Sequence, residues 1–214
     1  MRVLPRSEKS LLLAVIGMTL VVFALGAAVL VIKLRPGGEP RTAVERDITE
    51  FQNAVRANPN DDWAQTGLGL AMLNAKKPAD AQRAFEAAVE VNPKNWVASF
   101  QLGLLLSASD PVRADSLLAT GAKYAPETNK AAPYIALGDL RLQQGDAESA
   151  KAAYRRAIAD VPFLYDSHLG LAKALEELGE NKDALEQYRE AARYNPSSEE
   201  IRQAIARLTG GGGT

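Results

Sequence analysis

The sequence predicts an all-α fold, a solenoid of stacked helix pairs behind one apolar N-terminal helix. Two observations carry this. One pattern of small, bulky and proline residues recurs four times between Asp62 and Arg202 at a spacing of about 34 residues, and residues 11–32 form a 22-residue run without a charge. A unit of that length cannot bury its apolar face alone, so its core is built by stacking on neighbours, and the product is an open array with a groove.

Aligned on its proline, the pattern has a small residue at unit position 8 (Gly69, Gly103, Gly138, Ala172) and alanine at 20 (Ala81, Ala114, Ala150, Ala184). A bulky residue follows at 24 (Phe85, Leu118, Tyr154, Tyr188), a small one at 27 (Ala88, Gly121, Ala157, Ala191) and proline at 32 (Pro93, Pro126, Pro162, Pro196). Two antiparallel helices approach closely only where side chains are small, the position-24 side chain fills the gap between units, and proline ends the second helix. This pattern resembles the tetratricopeptide repeat, which implies a right-handed solenoid with units at 62–95, 96–130, 131–164 and 165–198. Gly145-Asp146 and Gly179-Glu180-Asn181 mark the turns inside the third and fourth units. In the second unit the turn Ser109-Asp110-Pro111 is one residue shorter, and residues 127–130 lengthen the next connection by two.

The array extends at both ends. Val44, Ile48, Phe51 and Val55 make a helical stripe, and Phe51, Ala54 and Pro59 take positions 24, 27 and 32 of a leading half-repeat, residues 43–61. After Pro196, Ser197 or Ser198 can cap a last helix over 199–208 whose stripe is Ile201, Ile205 and Leu208, with Glu199, Glu200, Arg202 and Arg207 facing water. It closes the array as a capping helix. Residues 209–214, rich in glycine, are expected to be a disordered tail.

Ahead of the repeats, residues 1–10 form a short tail and 11–32 a membrane-spanning helix, long enough at 1.5 Å per residue for a hydrocarbon layer of ~30 Å. The run is longer than the ~7–15 residues of a leader's apolar core and continues past the small-x-small sites Ala24-Leu25-Gly26 and Gly26-Ala27-Ala28, so a retained anchor is expected. Arg2, Arg6 and Lys9 precede the span and Lys33, Arg35, Arg41 and Arg46 follow it, so flanking charge does not set the orientation. A short tail before a first apolar segment is the arrangement of a bacterial signal-anchor. That places the chain in the inner membrane with an extracytoplasmic, periplasmic solenoid. The linker, residues 33–42, spans at most ~35 Å and keeps the solenoid near the bilayer.

Residues 1–38 carry five Lys or Arg and one acid, net +4; the rest carry twenty and twenty-five, net −5, which together give the formal −1 of the chain. A net-acidic solenoid does not suit nucleic acid. Without cysteine there is no disulfide, thiolate or haem attachment by this chain. The single histidine, His168, falls at a packing position, and no phosphate loop, metal-ligand set or nucleophile motif is present, so no catalytic residue, metal or cofactor is expected. The acidic pairs Asp61-Asp62, Glu176-Glu177 and Glu199-Glu200 read as solvated or dipole-favourable carboxylates.

Function then falls to the groove. The tetratricopeptide resemblance implies a concave face lined by positions 2, 5, 9, 12 and 13 of each first helix. Those positions supply the expected protein-binding residues Trp63, Thr66 and Leu70 in the first unit and Val97, Phe100 and Leu104 in the second. Ile135, Asp139 and Leu142 follow in the third and Lys173 in the fourth, where Asp166, Glu176 and Glu177 hold the other charged positions, so the groove grades from apolar to acidic. The Lys and Asn set of family members that clamp a C-terminal carboxylate is replaced by Thr66, Gly67 and Leu70, then Phe100, Gln101 and Leu104. Large apolar residues on such a face favour an amphipathic helix or an extended apolar peptide of a protein partner; a second copy of the chain, as a homodimer, meets the same requirement. The run from Phe51 to Leu68-Gly69 through Asn58-Pro59-Asn60-Asp61 resembles the repeat opening of tetratricopeptide subunits in cytochrome c maturation and nitrite-reductase haem-lyase systems. That resemblance, over about residues 45–160, implies an apocytochrome client held for haem attachment. The expected roles are therefore a membrane-held adaptor or assembly factor, or a holdase of that narrower kind, for a protein client or a membrane complex.

Overall fold

Prolines, aspartates and glycines punctuate the helices of this chain. In the computed structural model, which describes residues 42–210, ten α-helices follow one another. They are α1 (Ala43–Ala57), α2 (Asp62–Asn74), α3 (Pro78–Val91), α4 (Trp96–Leu106), α5 (Pro111–Tyr124), α6 (Ala131–Gln143), α7 (Ala147–Asp160), α8 (Tyr165–Glu177), α9 (Asn181–Tyr194) and α10 (Glu199–Gly210). From Asp47 onward the described residues form one compact unit. Successive pairs α2–α3, α4–α5, α6–α7 and α8–α9 are antiparallel hairpins, each packed on the next. The tail 1–10, the expected span 11–32 and most of the linker lie outside the described residues, as does the chain after Gly210. Among the described residues no helix is long and apolar enough to cross a membrane.

Local chemistry accounts for the boundaries. Asp61, Asn95, Asp110 and Asp146 cap α2, α4, α5 and α7 by accepting backbone N–H bonds at 3.0–3.1 Å. Pro78 and Pro111 sit in the first turns of α3 and α5, where a missing N–H costs nothing. Thr42 and Glu45 exchange reciprocal backbone–side-chain bonds of 3.0 and 3.1 Å ahead of α1. The hairpin turns need one residue with positive φ: Gly145 (78°) and Gly179 (75°), and in the first unit Lys76 (57°). A non-glycine there costs about 1 kcal/mol. In the second unit the shorter turn closes through Asp110 N to Leu106 O at 2.8 Å. The two extra residues before α6 wind into a 3-10 turn, Glu127–Asn129.

Two apolar clusters form the core. The first centres on Phe85, Leu102, Leu118 and Leu137, the second on Tyr154, Leu171, Leu175, Tyr188 and Ile201. Position 8 works as the repeat pattern requires: a methyl group on Gly69 would stand 2.5 Å from the Phe85 ring, and one on Gly103 2.8 Å from Leu118. The Tyr154 ring bridges two units, lying against Gly138 of its own hairpin and Gly170 of the next, where added methyl groups would stand 2.8 and 2.2 Å from it. In α10, Ile201 and Ala204 are buried and Ile205 and Leu208 half-buried against the second cluster.

Two expectations need correction. The last helix does not stop at residue 208: Thr209 and Gly210 continue it, with the Thr209 hydroxyl donating to Ile205 O at 2.8 Å. A helix end without a breaker simply runs on while its carbonyls find donors. Asp62 is not merely solvated, since its carboxylate accepts from Asn92 Nδ2 (2.9 Å) and Asn95 Nδ2 (2.7 Å), tying the first hairpin to the loop that opens the second.

Candidate functional site: the first-helix groove

The first helices of the hairpins, α2, α4, α6 and α8, turn one face of the array toward a groove, and α10 continues the row. Of the ten expected groove residues, Trp63 (59% exposed), Leu70 (36%) and Leu104 (42%) stand open at positions 2, 9 and 9 of the first two units. Val97 and Phe100 are half-buried and line a cleft of about 380 Å³ against Thr128, Asn129 and Ala132. Phe100 packs on its own hairpin because Gly121 offers no Cβ at that crossing, its Cβ lying 3.2 Å from where one would be. Ile135, Asp139, Leu142 and Lys173 come together in a second cleft of about 530 Å³ between α6 and α8, with Asp166, Leu169 and Glu177.

Thr66 is a correction: at 2% exposure it does not line the groove. Its hydroxyl donates to Asp62 O (2.6 Å) and accepts from Asn95 Nδ2 (2.9 Å), so this position is spent on joining two hairpins. A threonine hydroxyl within a helix bonds back to the carbonyl four residues before it, and here that bond turns the side chain toward Asn95.

In the last two units buried phenols meet carboxylates on the groove side. Tyr154 donates to Asp139 (2.6 Å) and Tyr188 to Glu176 (2.8 Å). Burial, then the facing carboxylate, pushes both phenols above the usual tyrosine range. The Asp139 carboxyl is raised above its ordinary value, chiefly by loss of solvation, with Asp166 adding to the rise and the Tyr154 hydrogen bond opposing it. Glu176 also receives the Arg207 guanidinium from α10, at 2.7 and 2.9 Å, and Lys173 pairs with Glu200 at 2.6 Å. Glu176, Glu200 and Arg207 are thus engaged across the groove rather than simply facing water. With Leu142, Lys173 and Gln203 they border a further cleft of about 730 Å³. Sequence reasoning missed this contribution of α10 although the signal was present: counted from Glu199, residues Glu200, Gln203 and Arg207 hold positions 2, 5 and 9 of a fifth first helix.

His168 is buried, with Nε2 2.9 Å from Pro162 O, Nδ1 2.8 Å from Gln187 Oε1, and its ring stacked on Tyr194. It is a packing residue. Among the described residues no cluster of His, Asp or Glu is arranged to hold a metal.

Comparison with known proteins decides the family. The profile described as Tetratricopeptide repeat matches residues 66–114 and 135–199, just over half of the chain. The chain belongs to the tetratricopeptide repeat family. Cellulose synthase operon protein C of Xanthomonas axonopodis pv. citri is 32% identical over 116 residues, 51% of this chain but 8% of that protein, so this tetratricopeptide chain spans a small part of its curated relative. Among solved structures, Pseudomonas aeruginosa PilF superposes with a TM-score of 0.68 at 18% identity, covering 84% of this chain and 81% of that one. YrrB, described as a tetratricopeptide protein with an unusual peptide-binding site, gives 0.67 at 14% identity, covering 75% and 82%. These likenesses establish the solenoid fold.

Proposed function

We propose that this tetratricopeptide chain is a non-catalytic, membrane-held adaptor that receives an apolar segment of a protein partner along its first-helix groove. Tetratricopeptide proteins as a class bind protein or peptide partners, and one observation carries the reading here. Trp63, Leu70 and Leu104 stand open on the groove side of α2 and α4. A partner segment that covers apolar side chains left open on neighbouring helices gains the free energy of their burial. An apocytochrome awaiting haem is the narrower form of the same proposal, a membrane complex another, and a second copy of the chain a third.

The test places a photo-cross-linking residue at Leu70 or Leu104 of the full-length chain in native membranes, with Arg155 on the exposed side of α7 as the control. Adducts form from the groove positions and not from Arg155, and their mass identifies the partner. Adducts of equal yield from all three overturn the groove. In the same membranes, Leu70→Glu with Leu104→Glu, both open positions, weakens capture by about tenfold or more while helicity stays unchanged, since one decade corresponds to about 1.4 kcal/mol and central contact residues contribute at least that.

The uncharged run 11–32 supports anchoring, with the solenoid outside the cytoplasm. Protease added to spheroplasts digests residues 43–210. A protected solenoid reverses the topology, and a mature chain that begins near Ala27 removes the anchor.

A further inference from the structure

The groove is chemically uneven along its length, and the unevenness identifies the kind of segment that fits it. Positions 2, 5 and 9 read Val97, Phe100 and Leu104 on α4, then Asp166, Leu169 and Lys173 on α8. Between α6 and α8 the cleft of about 530 Å³ has an apolar floor, Ile135, Leu142 and Leu169, beneath three carboxylates, Asp139, Asp166 and Glu177. Lys173 also borders it, but its ammonium is held by Glu200 at 2.6 Å. Among the described residues, no Lys or Arg pairs with Asp139, Asp166 or Glu177 at ion-pair distance.

An apolar floor with a carboxylate rim is the environment of a long basic side chain, whose methylene stem lies on aliphatic surface while its charged end meets the acids. The chain itself displays this chemistry one repeat later. There the guanidinium of Arg207 enters the groove from α10 and meets Glu176 at 2.7 and 2.9 Å, on a carboxylate that also accepts the Tyr188 hydroxyl at 2.8 Å. Asp139 takes the Tyr154 hydroxyl in the same way, at 2.6 Å, with no guanidinium of the described residues beside it.

We infer that the groove selects a partner segment of mixed chemistry: apolar residues that lie on Trp63, Leu70 and Leu104, followed by an arginine or lysine that enters the α6–α8 cleft between Asp139, Asp166 and Glu177. This rests on the groove reading and adds to it the partner's charge and its direction along the array. Apolar contact supplies affinity at one end, and charge complementarity fixes which end of the segment faces α8. A purely apolar segment occupies only half of the surface, and an acidic one is repelled from α8.

The experiment titrates the full chain, in nanodiscs of uncharged lipid, with a fluorescent peptide of roughly 20 residues, Leu- and Phe-rich in its first half and with arginines in its second. The comparison peptide carries citrulline, the uncharged isostere, in place of each arginine. The arginine peptide binds about tenfold or more tightly than the citrulline peptide, and the preference shrinks as salt rises. Asp166→Asn with Glu177→Gln, both exposed positions, removes the preference and leaves the citrulline peptide's affinity unchanged. Equal affinity of the two peptides for the unmodified chain overturns the inference. So does an arginine preference that survives the double substitution. The groove reading is judged separately by Leu70→Glu with Leu104→Glu: if those changes leave both peptides bound as before, the groove itself is wrong, whereas loss of both peptides keeps the groove whatever the charge result. Failure of both peptides to bind the unmodified chain overturns the inference, and the cross-linking from Leu70 and Leu104 then judges the groove alone.

Discussion

Tyr154→Ala lowers the stability of the solenoid by about 3–5 kcal/mol, the range for removing a large aromatic from a packed core. The ring is fully buried and lies between Gly138 and Gly170, so its loss opens a gap in two hairpins at once. Against a domain's net stability of about 5–15 kcal/mol this is a large fraction. Tyr154→Phe keeps the ring and removes only the bond to Asp139; that carboxylate retains access to water, so the cost falls to about 1 kcal/mol. Gly170→Ala attacks the same contact from the other side. Its methyl group would stand 2.2 Å from the ring, and Gly138 leaves the ring no room to retreat, so about 1–3 kcal/mol is lost. Combining Gly170→Ala with Tyr154→Leu costs less than the two changes summed, because the smaller side chain makes room for the methyl group. Urea denaturation of the detergent-solubilised full chain, followed by far-ultraviolet circular dichroism, checks the series. A Tyr154→Ala cost below about 1 kcal/mol, or strict additivity in the double variant, contradicts the bridging role.

Truncation after Pro196 removes α10 and is expected to produce the second large effect. Ile201 alone contributes about 1.5–3 kcal/mol by burial, and its departure bares the Tyr188 and Leu175 region that it covers. For a domain of this size each kcal/mol moves the melting temperature by about 2–4 °C, so the truncated chain melts at least about 3 °C lower. It also loses Arg207 and Glu200, leaving Glu176 and Lys173 without their partners across the groove. The bared apolar face promotes association, which light scattering detects. Unchanged melting with no association refutes the capping role of α10.

The helical pattern was legible because the repeat states it four times: Gly69, Gly103, Gly138 and Ala172 recur for a reason that the Phe85, Leu118, Tyr154 and Tyr188 side chains supply. Individual positions were legible only where the repeat's geometry outweighs local chemistry. Thr66 holds a groove position, yet its hydroxyl is drawn inward by Asp62 O and Asn95, partners 4 and 29 residues away, the second of them invisible to any local pattern. Lys76 occupies the left-handed turn position that glycine fills in the third and fourth units, and nothing in its chemistry announces that. Arg207 reads as solvent-facing on a capping helix with a polar back; its count from Glu199 makes it equally a groove residue. The grading of the groove from apolar residues on α2 and α4 to charged residues around Asp139 was readable from position numbers, but not which of the apolar residues stay open, since Leu104 is exposed and Phe100 half-buried. The phenol–carboxylate contacts beneath it depend on two side chains meeting across a hairpin, which spacing alone does not specify.

The two ends of the array are unequal. α10 buries Ile201 and Ala204, whereas α1 buries none of its residues, its stripe of Ile48, Phe51 and Val55 being only half covered. In a stack where each helix is held by its neighbours alone, disorder spreads inward from the weaker end. Tension applied at the N-terminal end therefore meets α1 before any helix that lines the groove. α1 is thus the first helix to open when the array frays, ahead of every helix that lines the groove.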